Sequence, residues 1–176
     1  MSVIIDIATH KVCIIYYILP TYSQAKKTIW QAISTEGVKF LDYIPQELIA
    51  SVNSSEMKIT LKNNSIIQLI GGDSYNTSLV GSNPYVCVFS EFSVMESAKE
   101  AYEYASPILA ANNGICIFLF TPRGRNYAYH LYQAALEWKD WFVYKLTLDD
   151  TKHISDEVMS REKEKYSPEF ISQEYY

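Results

Sequence analysis

The sequence predicts an α/β protein on a mostly parallel sheet, with flanking helices and an antiparallel hairpin. Three observations carry this. Tyr85–Phe89 is an unbroken apolar run followed at once by Ser90 and Glu91. A run so short, rich in Val and Phe, suits a strand buried on both faces of a parallel sheet. Ile115–Phe120 is a second such run, ending in Thr121-Pro122-Arg123-Gly124. The third observation is that strand-like runs alternate with helical patterns, as parallel sheets with right-handed crossovers require. Open α/β sheets hold ligands at the carboxyl ends of their strands. Glu91 and the Thr121–Gly124 turn are therefore expected to face one crevice. The same pattern also fits an ordinary α/β sheet with polar strand ends.

Met1–Thr9 is short and apolar, and fits the last turns of a helix or a strand. Val12–Leu19 reads as a central strand. It ends in Pro20-Thr21-Tyr22-Ser23-Gln24, where Thr21 and Gln24 have capping-box spacing and predict a helix start. Ala25, Ile29 and Ile33 give that helix a buried stripe. Lys26 and Lys27 fall off the stripe and read as a solvated face. Gly37–Ala50 is a connection, with a helical piece around Gln46–Ala50. Met57–Leu61 and Ile66–Ile70 flank Lys62-Asn63-Asn64-Ser65 and predict a hairpin at a sheet edge. Asn76–Pro84 leads as a loop or short helix into the Tyr85 strand. Ser93 and Glu96 have capping-box spacing before a helix over Ala98–Leu109, with Gly114 as its left-handed cap. Leu131, Ala135 and Trp138 mark one face of a helix over Asn126–Trp138. Trp141–Leu148 reads as a final strand. A helix follows from Ser155, and Ser167-Pro168 opens the last one.

The chain has 176 residues, 48% hydrophobic and 20% charged, which fits one globular domain over 1–176. Its net charge of −5 lacks the strongly basic footprint of an autonomous, tight DNA binder, though a local basic patch stays open. Cys13, Cys87 and Cys116 fall in predicted core strands and read as small buried hydrophobes in a reducing compartment. They lack CxxC spacing, which argues against zinc. His10, His130 and His153 are scattered and read as structural. No apolar run is long enough to span a bilayer, and Met1–Ala8 lacks the flank and cleavage site of a signal peptide.

Several stretches, in order, resemble one family: the ATPase domain of phage terminase large subunits, the motors that pump DNA into capsids. They are Tyr17–Lys26 with Trp30; Leu61–Ile70 with Gly71-Gly72-Asp73; Leu79-Val80-Gly81 leading to Val86–Glu91; Thr121–Asn126; and the tail Phe170–Tyr175 with its Gln-Glu-Tyr. The resemblance implies a P-loop NTPase-like fold of the RecA/ASCE type. It implies that Glu91, closing a Walker B strand, orients the attacking water. Ser90, Thr21 and Gln24 would lie near magnesium and nucleotide. Thr121, Pro122, Arg123 and Gly124 would form the coupling motif, and Arg123 and Arg125 could touch phosphate or DNA. ATP and Mg²⁺ are the implied ligands. The implied partners are double-stranded DNA, portal protein, small terminase subunit and a homo-oligomeric ring, in the cytoplasm of a bacterial host.

The sequence departs from the family pattern in three ways. It contains no G-x-x-x-x-G-K-[S/T] phosphate-binding loop. By the resemblance, that loop would precede residue 1, Met1–Ala8 would be the end of the helix after it, and a nuclease domain would follow residue 176. Ser90 stands where Walker B usually has Asp, and Val80 where many members carry arginine. The expectation is an N-terminally truncated ATPase domain with negligible hydrolysis alone. Its unpaired strand edges should favour dimers, aggregates or a protein partner. The alternatives are a non-enzymatic interaction module, a degenerate prophage remnant, or a helicase-type relative.

Overall fold

The computed structural model describes residues 2–152 and 154–175; His153, read above as structural, lies outside them. The chain forms two compact units, one up to Phe120 and one from Thr121.

In the first unit a helix, α1 (Ser2–His10), leads into β1 (Ile14–Leu19). A short helix, α2 (Tyr22–Ala25), runs on as a π-helical turn over Lys26–Trp30. This change of winding ends the predicted stripe: Ala25 and Ile29 are buried, but Ile33 is 62% exposed. Lys26 and Lys27 are exposed, as predicted. Two 3-10 turns follow, the second over Gln46–Leu48 within the helical piece expected around Gln46–Ala50, whose last two residues instead open β2 (Ile49–Asn53). β3 (Lys58–Leu61) and β4 (Ile66–Gly71) form the predicted hairpin, with Asn64 left-handed at φ +72° in its turn. α3 (Tyr75–Ser78) leads to β5 (Val86–Ser90), then α4 (Ala98–Ala111) and β6 (Ile115–Leu119).

The six strands lie in the order β2-β3-β4-β1-β5-β6. β4, β1, β5 and β6 are mutually parallel, and β2 and β3 are antiparallel additions. The hairpin is thus not simply an edge: β4 pairs with β1, and β2 makes the edge. β1 sits centrally, which its unbroken apolar run demands. Ile15, Leu19, Ile67, Leu69, Val86 and Val88 pack on one face with Ile4 and Ala8 of α1 and with Ala25, Ile29 and Trp30. On the opposite face, Phe89 stacks on Phe118 at 5.3 Å, and Tyr102 of α4 meets both rings edge-on.

Two end signals differ from expectation. Ser97, not Ser93, precedes α4, and it donates to the Gly72 carbonyl at 2.7 Å. Residues Phe92–Val94 form a 3-10 turn instead. After α4 the left-handed residue is Asn113 (φ +50°), not Gly114. Gly114 answers a different need: a Cβ there would lie 2.6 Å from the Tyr85 carbonyl.

In the second unit, α5 (Tyr127–Ala135) is capped by Asn126, whose side chain accepts from the Tyr129 amide at 3.2 Å. Leu131 and Ala135 are buried, whereas Trp138 lies beyond the helix and is 44% exposed. Residues 141–147, read as a strand, pair with no strand among the described residues. α6 (Leu148–Thr151) carries a Thr147–Asp150 capping box. α7 (Asp156–Lys165) and α8 (Pro168–Tyr175) start where Ser155 and Ser167-Pro168 predict. Leu148, Met159 and Ile171 form a small core there. No helix among the described residues is long and apolar enough to cross a membrane.

Candidate functional site

β1, β4 and β5 are neighbouring parallel strands, so their carboxyl ends share one edge of the sheet. Thr21 follows β1, Asp73 follows β4, and Glu91 follows β5. Ser90 is the half-buried last residue of β5, and Glu91 is exposed. Glu91 adopts the left-handed conformation, φ +56° and ψ +38°. A non-glycine residue there carries strain, and such strain concentrates at functional sites. The turn aims the main chain sharply away from β5 into the 3-10 turn over Phe92–Val94. Phe92 is fully buried there, which holds the turn in place.

Thr21 caps α2: its hydroxyl accepts from the Gln24 amide at 3.2 Å and donates to the Gln24 side-chain oxygen at 3.3 Å. The predicted capping residues therefore meet, but the Gln24 side chain bonds the Thr21 hydroxyl and not its amide. Asp73 completes the arrangement. Its carboxylate accepts from the Tyr22 amide at 3.3 Å, and its own amide donates to the Pro20 carbonyl at 3.1 Å. A Cβ on Gly71 would lie 2.1 Å from that carboxylate and 2.3 Å from the Tyr22 nitrogen. The ends of β4 and β1 thus approach so closely that only glycine fits. Sequence reading did not assign Asp73 to the site. The Gly71-Gly72-Asp73 break in the strand pattern was the available signal.

Thr21, Gln24, Ser90 and Glu91 are thus carried on one sheet edge. Leu119 of β6 lies in register with Ser90. Thr121, Pro122, Arg123 and Gly124 follow in sequence and belong to the second unit. Within that unit Gly124 is left-handed at φ +68°, which favours glycine. Arg123 pairs with Glu174 of α8 at 2.5 Å. The ion pair ties the Thr-Pro-Arg-Gly turn to the Gln-Glu-Tyr tail. Arg125 is exposed. Val80, in the first unit, is 58% exposed. His10 bonds the Asp6 carbonyl at 2.9 Å within α1, in keeping with a structural role.

The thiols behave as core groups. Burial pushes the Cys87 pKa up to about 12 and raises that of Cys116, with Cys87 beside it adding to the second shift. Cys13 lies just before β1 and is half-buried. Its thiol is also raised by burial.

A magnesium–triphosphate needs clustered backbone N–H groups and a cation for its phosphates, and oxygen ligands for its metal. The edge described here offers hydroxyls, an amide and two carboxylates. No group of three or more His, Cys, Asp or Glu suited to a metal occurs among the described residues. These residues alone do not fit the nucleotide and its metal.

No protein-family model and no curated protein matches the chain. Solved structures do. The ATPase domain of the Thermus phage P74-26 large terminase superposes with a TM-score of 0.66 at 15% identity, covering 98% of this chain and 79% of that one. The large terminase of the thermophilic bacteriophage D6E gives a TM-score of 0.72 at 16% identity, covering 98% of this chain and 42% of that one. The same D6E protein in complex with ATP-gamma-S gives 0.71. The mixed, mostly parallel six-stranded sheet and its flanking helices thus have the P-loop NTPase-like fold of phage large terminase ATPase domains.

Proposed function

We propose that the chain supplies the water-orienting and coupling parts of a terminase-like ATPase in a DNA-packaging motor. The phosphate-binding loop is then carried by polypeptide outside these 176 residues. The observation that carries this reading is Glu91, an exposed carboxylate in strained, left-handed backbone at the carboxyl end of β5. Two further features support it. A solved neighbour with the same fold, the large terminase of bacteriophage D6E, is known in complex with ATP-gamma-S and with ADP. The turn Thr121–Gly124, joined to α8 through Arg123 and Glu174, suits a coupling element.

In phosphoryl transfer the protein contributes mainly positioning and electrostatic stabilisation. Glu91 is the group that orients water by accepting its proton in a hydrogen bond. Thr121 reports the state of the phosphates to the Gly124 turn. Ser90 lies near the magnesium, where its hydroxyl is a poorer ligand than the carboxylate that usually stands there. Arg125 is the exposed cation for DNA or phosphate. Double-stranded DNA, the portal, the small terminase subunit and the motor ring are partners of the assembled protein, in the bacterial cytoplasm.

The test is calorimetric titration of the chain with Mg-ATP, followed by fusion of a Walker A strand and loop from the D6E terminase ahead of Ser2. The chain alone should give no heat and no phosphate release. The fusion should hydrolyse ATP, and Glu91→Gln in it should stop turnover while leaving binding. Turnover indifferent to Glu91→Gln overturns the role of Glu91. Saturable binding by the unfused chain overturns the external loop.

A further inference from the structure

The break Gly71-Gly72-Asp73 joins the two halves of the site edge. β4 and β5 lie on opposite sides of β1. Leaving β4, the chain makes the 3-10 turn Gly72–Ser74, where the Ser74 hydroxyl donates to the Gly71 carbonyl at 3.2 Å. On the β1 side Asp73 holds the Thr21 turn twice. Its amide donates to the Pro20 carbonyl at 3.1 Å, and its carboxylate accepts from the Tyr22 amide at 3.3 Å. On the β5 side the Gly72 carbonyl accepts from the Ser97 hydroxyl at 2.7 Å. The Gly72 backbone also rests on buried Met95, since a Cβ there would lie 2.7 Å from the Met95 Sδ. The chain then enters α3, where Tyr75 meets Tyr104 of α4 edge-on at 6.0 Å. The segment after β4 therefore crosses the carboxyl end of β1 to reach the segment after β5.

Backbone bonds run from this crossing back to Glu91. The Ala98 amide donates to the Met95 carbonyl at 3.2 Å, the Met95 amide to the Phe92 carbonyl at 3.4 Å, and the Val94 amide to the Glu91 carbonyl at 3.1 Å. Phe92 is fully buried within that run, which leaves it little slack. The Ser97 hydroxyl makes no cap bond to α4 and is given to Gly72 instead.

We infer that Gly72–Ser74 is a strap across the end of β1 that sets the Glu91 turn relative to the Thr21 turn, with Asp73 and Ser97 as its positioning residues. Each holds one end of the strap by a side-chain bond, so loosening either end frees the other. That Glu91 is the group served rests on the proposed function; the strap itself does not. Losing one hydrogen bond shifts a local opening equilibrium by about three- to tenfold.

Hydrogen exchange on the whole chain, read at the far end of the strap, tests it. Ser97→Ala should speed exchange of α2, and Asp73→Ala should speed exchange over Phe92–Val94. Each change should be about three- to tenfold, with β3 at its wild-type rates. Ser97→Thr keeps a hydroxyl and Asp73→Asn keeps an acceptor oxygen, so both should return the far end to wild-type exchange. Far-end rates unmoved by Ser97→Ala and Asp73→Ala overturn the strap. So does equal acceleration in β3, which would mean a general loss of stability. The service to Glu91 is read in the Walker A fusion. There Ser97→Ala should lower kcat about tenfold at unchanged KM for ATP, part of the about hundredfold or more that a placed base contributes. Ser97→Thr should restore it. An active fusion indifferent to Ser97→Ala overturns that service and leaves the proposed function standing. A wild-type fusion without turnover overturns the proposed function, and exchange alone then decides the strap.

Discussion

Glu91 holds a backbone conformation that costs an L-residue roughly 1–2 kcal/mol. Phe92, fully buried, fixes the chain immediately after it. Glu91→Gly relieves this strain and offsets the entropy that glycine adds to the unfolded chain. Urea denaturation should show Glu91→Gly equal to the wild type or more stable by up to about 1 kcal/mol. A loss of more than about 1 kcal/mol would mean that the side chain, not the backbone, holds the turn. An equal or more stable glycine variant would show that the carboxylate is kept at a cost to stability, in line with the role proposed for it.

At the scale of elements, the junction of β4 with α2 has the closest approach found at any glycine of the chain. A methyl group on Gly71 meets both a side-chain oxygen and the Tyr22 backbone nitrogen. Gly71→Ala should destabilise by about 1–3 kcal/mol, read from the denaturant midpoint. Adding Asp73→Ala should rescue little, because the backbone nitrogen remains in the way. Full rescue would show that only the carboxylate was crowded. Such close approaches were only half legible in the sequence: two glycines broke the pattern, but nothing showed what lay opposite. Strands with continuous apolar runs, β1 and β5 above all, were legible because burial on both faces writes itself into composition. β2 was missed because Ile49-Ala-Ser-Val-Asn sits at an edge and needs no such run. Residues 141–147 failed in the opposite sense. Trp-Phe-Val-Tyr has strand propensity, but a strand exists only where a neighbour offers hydrogen bonds, and Phe142 is 88% exposed. The positions of Thr21, Gln24, Ser90 and Glu91 after or at the ends of β1 and β5 were legible, because each follows a continuous apolar run. The Arg123–Glu174 pair joins residues too far apart in sequence for spacing to reveal.

For the whole molecule, Cys87 and Cys116 couple stability to pH. They are register partners in the middle of the apolar layer. The folded Cys87 thiol titrates near 12, against 9.0 when unperturbed. A raised folded value means that the native state keeps its proton while the unfolded state loses one. This contribution to stability is full below about pH 9 and falls as pH rises towards 12. The melting temperature should therefore drop above pH 9, and Cys87→Ala should flatten part of that drop. An unchanged slope in Cys87→Ala would remove the thiol as its cause.

The strand order has a further consequence during synthesis. β1 emerges early, yet its two neighbours come from residues 66–71 and 86–90. About seventy residues separate the end of β1 from the end of β5, which is roughly 4–14 s of translation. For about the first fifty of those residues Ile14–Leu19 has neither flanking strand, until the last it has only one, and no local hairpin can cover it. The nascent chain is therefore most exposed to misassociation at its future centre, and its yield in cells should depend on chaperones that hold short apolar segments.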